Sequence, residues 1–307
     1  MRTTKDYIFL TLKGLGMGAA DVVPGVSGGT IAFISGIYEE LINTLKSIDL
    51  NAVKLLFKGK IKDFWKAING SFLAAVFAGI AISVLSLARV LGYLLENHPV
   101  LIWSFFFGLI LSSAQPVGRK IQNWNAPVYI ATLVGAAIAF YITVATPATT
   151  PTALWFVFVS GAIAICAMIL PGISGSFILL LLGQYRFILD SISALRADVL
   201  AAFLAGCAVG LLSFSRLLSW MFARYHDLTV ALLTGFMIGS LNKVWPWKNV
   251  LSYRTNSHGE EVPFLEESVL PNSFDGDPQP VVAVALVVVG FALIYYLDRL
   301  STRKSAA

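Results

Sequence analysis

The sequence predicts an all-α polytopic membrane protein of two inverted repeats, each a re-entrant helical hairpin followed by three transmembrane helices. Three observations lead there. Hydrophobic residues make up 57% of the 307-residue chain and charged residues only 13%, with mean hydropathy +0.77, whereas an ordinary globular chain carries about 25% charged residues. A break of proline, glycine and serine interrupts apolar sequence twice, as "PGVSGG" from Pro24 and "PGISGS" from Pro171. Lysine and arginine also fall unevenly on alternate loops.

The first repeat is placed at 1–147. The chain opens with Arg2 and Lys5 before "YIFLTL", as a signal peptide would, but Lys13 interrupts the apolar stretch and the pattern beyond it returns later in the chain. The segment therefore reads as mature structure. Its hairpin, 7–46, has two arms of about 17 residues, short of the roughly 20 that a spanning helix needs. These arms carry Lys13, Asp21, Glu39 and Glu40. An extra loop, "KSIDLNAVKLLFKGKIKDFWK", leads to spans at 70–95, 99–117 and 125–146, each apolar for long enough to cross about 30 Å of hydrocarbon. The second repeat, 148–307, has its hairpin at 151–195 and spans at 198–222, 226–243 and 278–299. Between the last two lies an outer loop, 244–277, with prolines and Glu260, Glu261, Glu266, Glu267, Asp275 and Asp277. It reads as a variable linker or as a partial cap over the site.

Self-similarity ties the halves together. Pro24, Gly25, Ser27, Gly28, Ile31, Gly36 and Tyr38 match Pro171, Gly172, Ser174, Gly175, Ile178, Gly183 and Tyr185, 147 positions on. Gly79, Ser86, Arg89 and Gly108 match Gly206, Ser213, Arg216 and Gly235 at an offset of 127, the difference being the extra loop. Gln115 and Asn242 share that offset near span ends and read as helix–helix glue.

If each hairpin returns to its starting side, each half crosses the membrane an odd number of times and the second half is inverted. One side then receives Arg2, Lys5, Lys13, the lysines from 46 to 66, Arg119, Lys120, Arg224, Arg299, Arg303 and Lys304; the other receives Arg196, Lys243, Lys248 and Arg254. The positive-inside rule places the first group, with both termini, in the cytoplasm. Fully spanning hairpin arms would give the same sides, so this test leaves re-entrant and spanning forms open.

The breaks point to an anion. Unsatisfied backbone groups cost several kcal/mol each in hydrocarbon, so a break must reach water or line a buried site, and paired broken helices at a repeat interface are a plan of secondary transporters. After each break a helix starts at Ser27-Gly28-Gly29-Thr30 or at Ser174-Gly175-Ser176. Serine caps such a start, and helix N-termini attract phosphate through free N–H groups and a partial positive charge. Arg89 and Arg216, each inside an apolar span, are candidate partners of the same anion; the plainer reading is snorkelling to an interface. Lys13, Asp21 and Glu39 correspond to Ser160, Met168 and Arg186, so coupling or charge pairing is assigned to Lys13, Asp21, Glu39 and Arg186. Asp21 either holds an arginine, carries a proton or caps backbone N–H groups.

Other chemistry finds less support. Cys166 and Cys207 lie in apolar segments and read as packing. The histidines, His98, His226 and His258, fall at span ends or in a loop, and there is no HExxH, P-loop or Cys/His cluster. No cofactor, metal or nucleic acid is implied. An intramembrane lipid-phosphate enzyme is the weaker rival, and a small-anion channel or transporter using the same paired half-helices the stronger one.

"KGLGMGAADVVPGVSGGTIAFISGIYEELI" resembles the signature of a bacterial and archaeal membrane family, formerly a domain of unknown function, now assigned to polyprenyl-phosphate transport of the PopT type. The resemblance covers essentially the whole chain. Its motif falls on Lys13, Gly18, Asp21, Pro24, Gly25, Ser27, Gly28, Gly29, Thr30, Gly36, Tyr38 and Glu39. It implies flipping of undecaprenyl phosphate, a lipid carrier of cell-wall precursors, from the outer to the cytoplasmic leaflet. Moving that anion inward against the membrane potential costs about 2.3 kcal/mol per charge per 100 mV, which makes a co-transported proton or cation an expected partner.

Overall fold

The computed structural model describes residues 2–23, 26–255 and 261–305. Among them, α1 (Thr4–Val22) starts from a capping box in which the Thr3 hydroxyl takes the Asp6 N–H and the Asp6 carboxylate takes the Thr3 N–H. Beyond the first break come α2 (Gly28–Ile34) and α3 (Tyr38–Lys46). Two short helices, α4 (Leu50–Phe57) and α5 (Ile61–Ala67), replace the expected extra loop and lead into α6 (Gly70–Asn97), α7 (Pro99–Gly118) and α8 (Ala126–Val144). The second half runs α9 (Leu154–Ile169), α10 (Gly175–Leu181), α11 (Tyr185–Ser193), α12 (Ala197–Arg224) and α13 (His226–Gly239). A 3-10 turn (Ser240–Asn242) tightens the end of α13, and α14 (Pro280–Ser305) closes the chain.

Among the described residues α6, α7, α8 and α12 are long and apolar enough to cross a membrane, and α9 and Pro280–Tyr296 of α14 are shorter apolar helices. The protein is thus a helical membrane protein. One difference from the sequence reading concerns the second arm of each hairpin, which is two helices rather than one. α2 and α10 have seven residues each, α3 and α11 nine, and α10 meets α11 at 108°. Both bends are Schellman turns on a left-handed glycine. At Gly36 (φ 74°), the Ile37 N–H bonds to the Ala32 carbonyl at 3.0 Å; at Gly183 (φ 65°), the Gln184 N–H bonds to the Leu179 carbonyl at 2.9 Å.

A second difference lies in 244–277. An antiparallel strand pair, β1 (Lys248–Thr255) and β2 (Glu261–Ser268), forms there. Trp247 packs with Val100 of α7 and Ala283 of α14, its indole N–H donating to the Pro278 carbonyl at 2.8 Å. The segment is therefore docked on the helices, which a free linker would not be.

Four helix pairs make up most of the packing: α1 with α6, α9 with α12, α8 with α13, and α7 with α14. The approach is close enough to require glycine. A Cβ on Gly79 would sit 2.0 Å from the Thr11 carbonyl oxygen of α1, and one on Gly206 1.9 Å from that of Phe158 in α9; small residues permit such contacts where lipid supplies no hydrophobic drive. Polar contacts gather the segment ends into two groups. At one end of the bundle Arg2 pairs with Glu40, Asn69 donates to Glu40 and Thr44, Lys46 reaches Ser219, and the Gln122 and Asn123 N–H groups meet Asp227. At the other, the Ala148 N–H bonds to the Leu181 carbonyl and Gln184 to Thr150.

Candidate functional site

The two breaks touch. Ser27, buried at the start of α2, accepts the Gly29 N–H at 3.1 Å and directs its own proton to the carbonyls of Met168 (3.0 Å) and Leu170 (3.2 Å) at the end of α9. One turn on, the fully buried Thr30 hydroxyl accepts the Gly172 N–H at 2.8 Å. The approach leaves no room for a side chain at Gly29, whose Cβ would lie 2.4 Å from the Ile169 carbonyl oxygen. Ser27, Gly29 and Thr30 thus meet residues 168–172 of the second break, where Pro171 is buried. Pro24 and Gly25 lie outside the described residues.

The two helix starts are not equivalent. Asp21 closes the first: its Oδ1 accepts the Gly28 N–H at 2.7 Å, a carboxylate on a helix N-terminus where negative charge is favoured. In this conformation the first two N–H groups of α2 are held by Asp21 and Ser27. At α10 the position corresponding to Asp21 holds the uncharged Met168, and Ser174, though at the cap position, makes no capping bond. Its hydroxyl lies 2.9 Å from that of Ser176, Gly175 is half-buried and Ser176 exposed. A small cavity of about 10 Å³ opens at Gly172, Ile173 and Ser174, bounded also by Thr143, Phe177 and Lys243. These last three are shared with a cavity of about 50 Å³ under the strand pair, lined further by Asn242, Lys248, Glu266 and Ser268.

The other charged candidates lie elsewhere. Lys13 donates to the Ser35 carbonyl at 2.7 Å and so ties α1 to the end of α2. Glu39 lies 3.6 Å from His226, and Arg186 lies 3.8 Å from Asp190 one turn along α11. Arg89 and Arg216 are exposed on α6 and α12, and Arg216 bonds to the Leu212 carbonyl of its own helix. Each lies about 28 Å along its helix from the start, level with the end of its short partner, since Gly18 of α1 packs on Ile80 and Ser83 and Cys166 of α9 bonds to the Gly210 carbonyl. Asn242 joins the 3-10 turn to α8 through Thr143 at 2.8 Å.

Sequence reasoning placed Lys243 and Lys248 only on a side of the membrane. In the structure both converge on Glu266, at 3.3 and 3.9 Å. Burial, and then the charge of Lys243, pushes the Lys248 ammonium down to about 7 against the opposing pull of Glu266. The signal available in the sequence was their position just after Asn242, on the side poor in basic residues.

Comparison with known proteins identifies the fold's relatives. Residues 17–262 match the family model described as VCA0040-like, undecaprenyl phosphate translocase-like. The chain belongs to this family. It is 47% identical over 300 residues to a polyprenyl-phosphate transporter of Vibrio cholerae, covering 96% of this chain and 97% of that one. It is 34% identical over 254 residues to a polyprenyl-phosphate transporter of Staphylococcus aureus, covering 76% and 85%. No solved structure matches. The family match spans both breaks, the smaller cavity beside the second and the first strand of the outer pair, whereas Glu266 and Ser268 of the larger cavity lie beyond it.

Proposed function

We propose that this protein translocates undecaprenyl phosphate, or a related polyprenyl phosphate, from the outer to the cytoplasmic leaflet, returning a spent lipid carrier for reuse. The observation that carries the reading beyond kinship is the contact of two broken helices at buried depth, with Ser27 and Thr30 bonded to Met168, Leu170 and Gly172. Helices joined through their breaks form a polar seam in an apolar bundle. The uncapped start at Ser174, Gly175 and Ser176 is the part of that seam open to a head group.

The architecture we propose is two inverted repeats, 1–147 and 148–307, each opening with a re-entrant hairpin. Supporting this, Arg2 meets Glu40 and Lys13 meets Ser35, as they would if the first hairpin returned to its starting side; Ala148 meets Leu181 and Gln184 meets Thr150 at the opposite end of the bundle. The pairing of α8 with α13 and of α7 with α14 exchanges the same two elements between halves. Both termini then lie in the cytoplasm, and the strand pair faces outward.

Asp21 is the candidate for coupling. It is a carboxylate bonded to the first N–H of α2, and protonation or an arriving cation would release that donor to the phosphate. Exchange of labelled undecaprenyl phosphate between leaflets of proteoliposomes containing the purified protein tests the function. No exchange by the wild-type protein would refute it, and indifference to both ΔpH and imposed potential would refute the coupling.

A further inference from the structure

The group under the strand pair is charge-imbalanced. Lys243 and Lys248 share the single carboxylate of Glu266, and their side chains are only 17% and 9% exposed. Each ammonium also faces an aromatic ring, Lys243 at 4.6 Å from the Phe177 centroid and Lys248 at 5.4 Å from that of Trp103. Among the described residues, two enclosed cations against one carboxylate leave the site one negative charge short, and an uncompensated buried charge is costly. The depressed Lys248 expresses that cost, which an arriving anion would remove.

The adjoining cavity has the size and lining for such an anion. Its volume of about 50 Å³ exceeds several-fold the roughly 10–15 Å³ that admits one water. Ser268 donates to the Asn242 side-chain oxygen, and Asn242 donates to Thr143, so the polar wall is held in place. The cavity's apolar lining, with Val144, Leu180 and Leu181, suits an isoprenoid chain. Lys243 also bounds the smaller cavity at the second break, so the two compartments share one cation.

We propose that Lys243 and Lys248 form an outer loading site for the phosphate of the lipid head group, with Lys243 handing it on to the second break. This rests on the lipid-phosphate reading above and adds residues that the helix breaks do not supply. A phosphate monoester carries about −1.5 to −2 charges at neutral pH, which matches two ammonium groups and displaces Glu266 from them. Inorganic phosphate offers the same oxygens without the chain.

The test uses the full chain in nanodiscs, titrated with farnesyl phosphate and with inorganic phosphate, and read by tryptophan fluorescence. Lys243→Gln and Lys248→Gln should each weaken farnesyl phosphate about tenfold, the loss of one charge-assisted hydrogen bond. Glu266→Gln should tighten it, an opposite sign that misfolding would not produce, and Lys58→Gln, on an exposed turn, should leave it unchanged. In proteoliposomes the two lysine variants should raise the half-saturating lipid concentration in the leaflet facing the strand pair. Unchanged binding in both lysine variants, or weakening by Glu266→Gln, overturns the site. Inorganic phosphate that binds but is not displaced by farnesyl phosphate overturns the loading role. If the expected binding pattern holds while the wild type moves no lipid, the anion site stands and the transport reading fails.

Discussion

Replacing Thr30 by valine tests whether the two breaks are held together by the hydrogen bonds described. The substitution keeps shape and volume but exchanges the hydroxyl that accepts the Gly172 N–H at 2.8 Å for a methyl group. Thr30 is 0% exposed, so water cannot take over, and a stranded buried donor costs about 1–3 kcal/mol. That range corresponds to a roughly 5- to 160-fold loss in the population of the joined state. Thermal unfolding of the purified protein in detergent reads it directly, and Thr30→Ser, which restores the acceptor, should recover most of the loss. Because Ser27 bonds the same segment through Met168 and Leu170, combining Thr30→Val with Ser27→Ala should be non-additive, as expected for groups in one network. Wild-type melting by Thr30→Val, or a loss with Thr30→Ser as large as with valine, would refute the reasoning.

Gly29→Ala should lower both the melting temperature and lipid exchange, because its Cβ would sit 2.4 Å from the Ile169 carbonyl oxygen and overpacking costs about 1–3 kcal/mol; normal exchange would contradict the contact. Arg89→Gln and Arg216→Gln, altered at exposed positions from which a long side chain snorkels to the interface, should change the half-saturating lipid concentration by less than about threefold; a loss beyond tenfold would return them to the site. Lys248 is held near 7, below the ordinary 10.5 of lysine. The unfolded chain therefore binds the extra proton between these values, and this residue's contribution to stability rises with pH from about 7 upward and is flat below. Comparing melting curves of wild type and Lys248→Met across that range isolates the effect, which fails if the two curves run parallel.

Much of the helical layout was legible because apolar windows and their polar ends are local properties: α6, α7, α8 and α12 run within a few residues of the windows read from the sequence. The split of each hairpin arm is present in the matched Gly36–Tyr38 and Gly183–Tyr185, yet a glycine followed two residues later by tyrosine stands out as a repeat before it stands out as a helix stop. The strand pair escaped because Lys248–Thr255 and Glu261–Ser268 are short, and their acidic surroundings suggested solvent. The bonds from Ser27 to Met168 and from Thr30 to Gly172 join residues over 140 positions apart, and no single sequence encodes such a pairing visibly. Arg89 and Arg216 were drawn to the site by the rule that charge inside a span is functional. Their side chains stand exposed on α6 and α12, which pack along α1 and α9, so exposure sets them apart from the buried residues at the breaks.

The length of these two helices has its own consequence. α6 and α12 have 28 residues each, about 42 Å of helix, against roughly 30 Å of hydrocarbon. Their partners α1 and α9 have 19 and 16 residues, about 28 and 24 Å. Each long helix must tilt or project, while the short one beside it ends beneath an overhang of some 14 to 18 Å. The molecule is thus a caliper set by its surroundings: acyl-chain length in the host membrane fixes how the long arms lean, and with them the depth at which the two short arms meet.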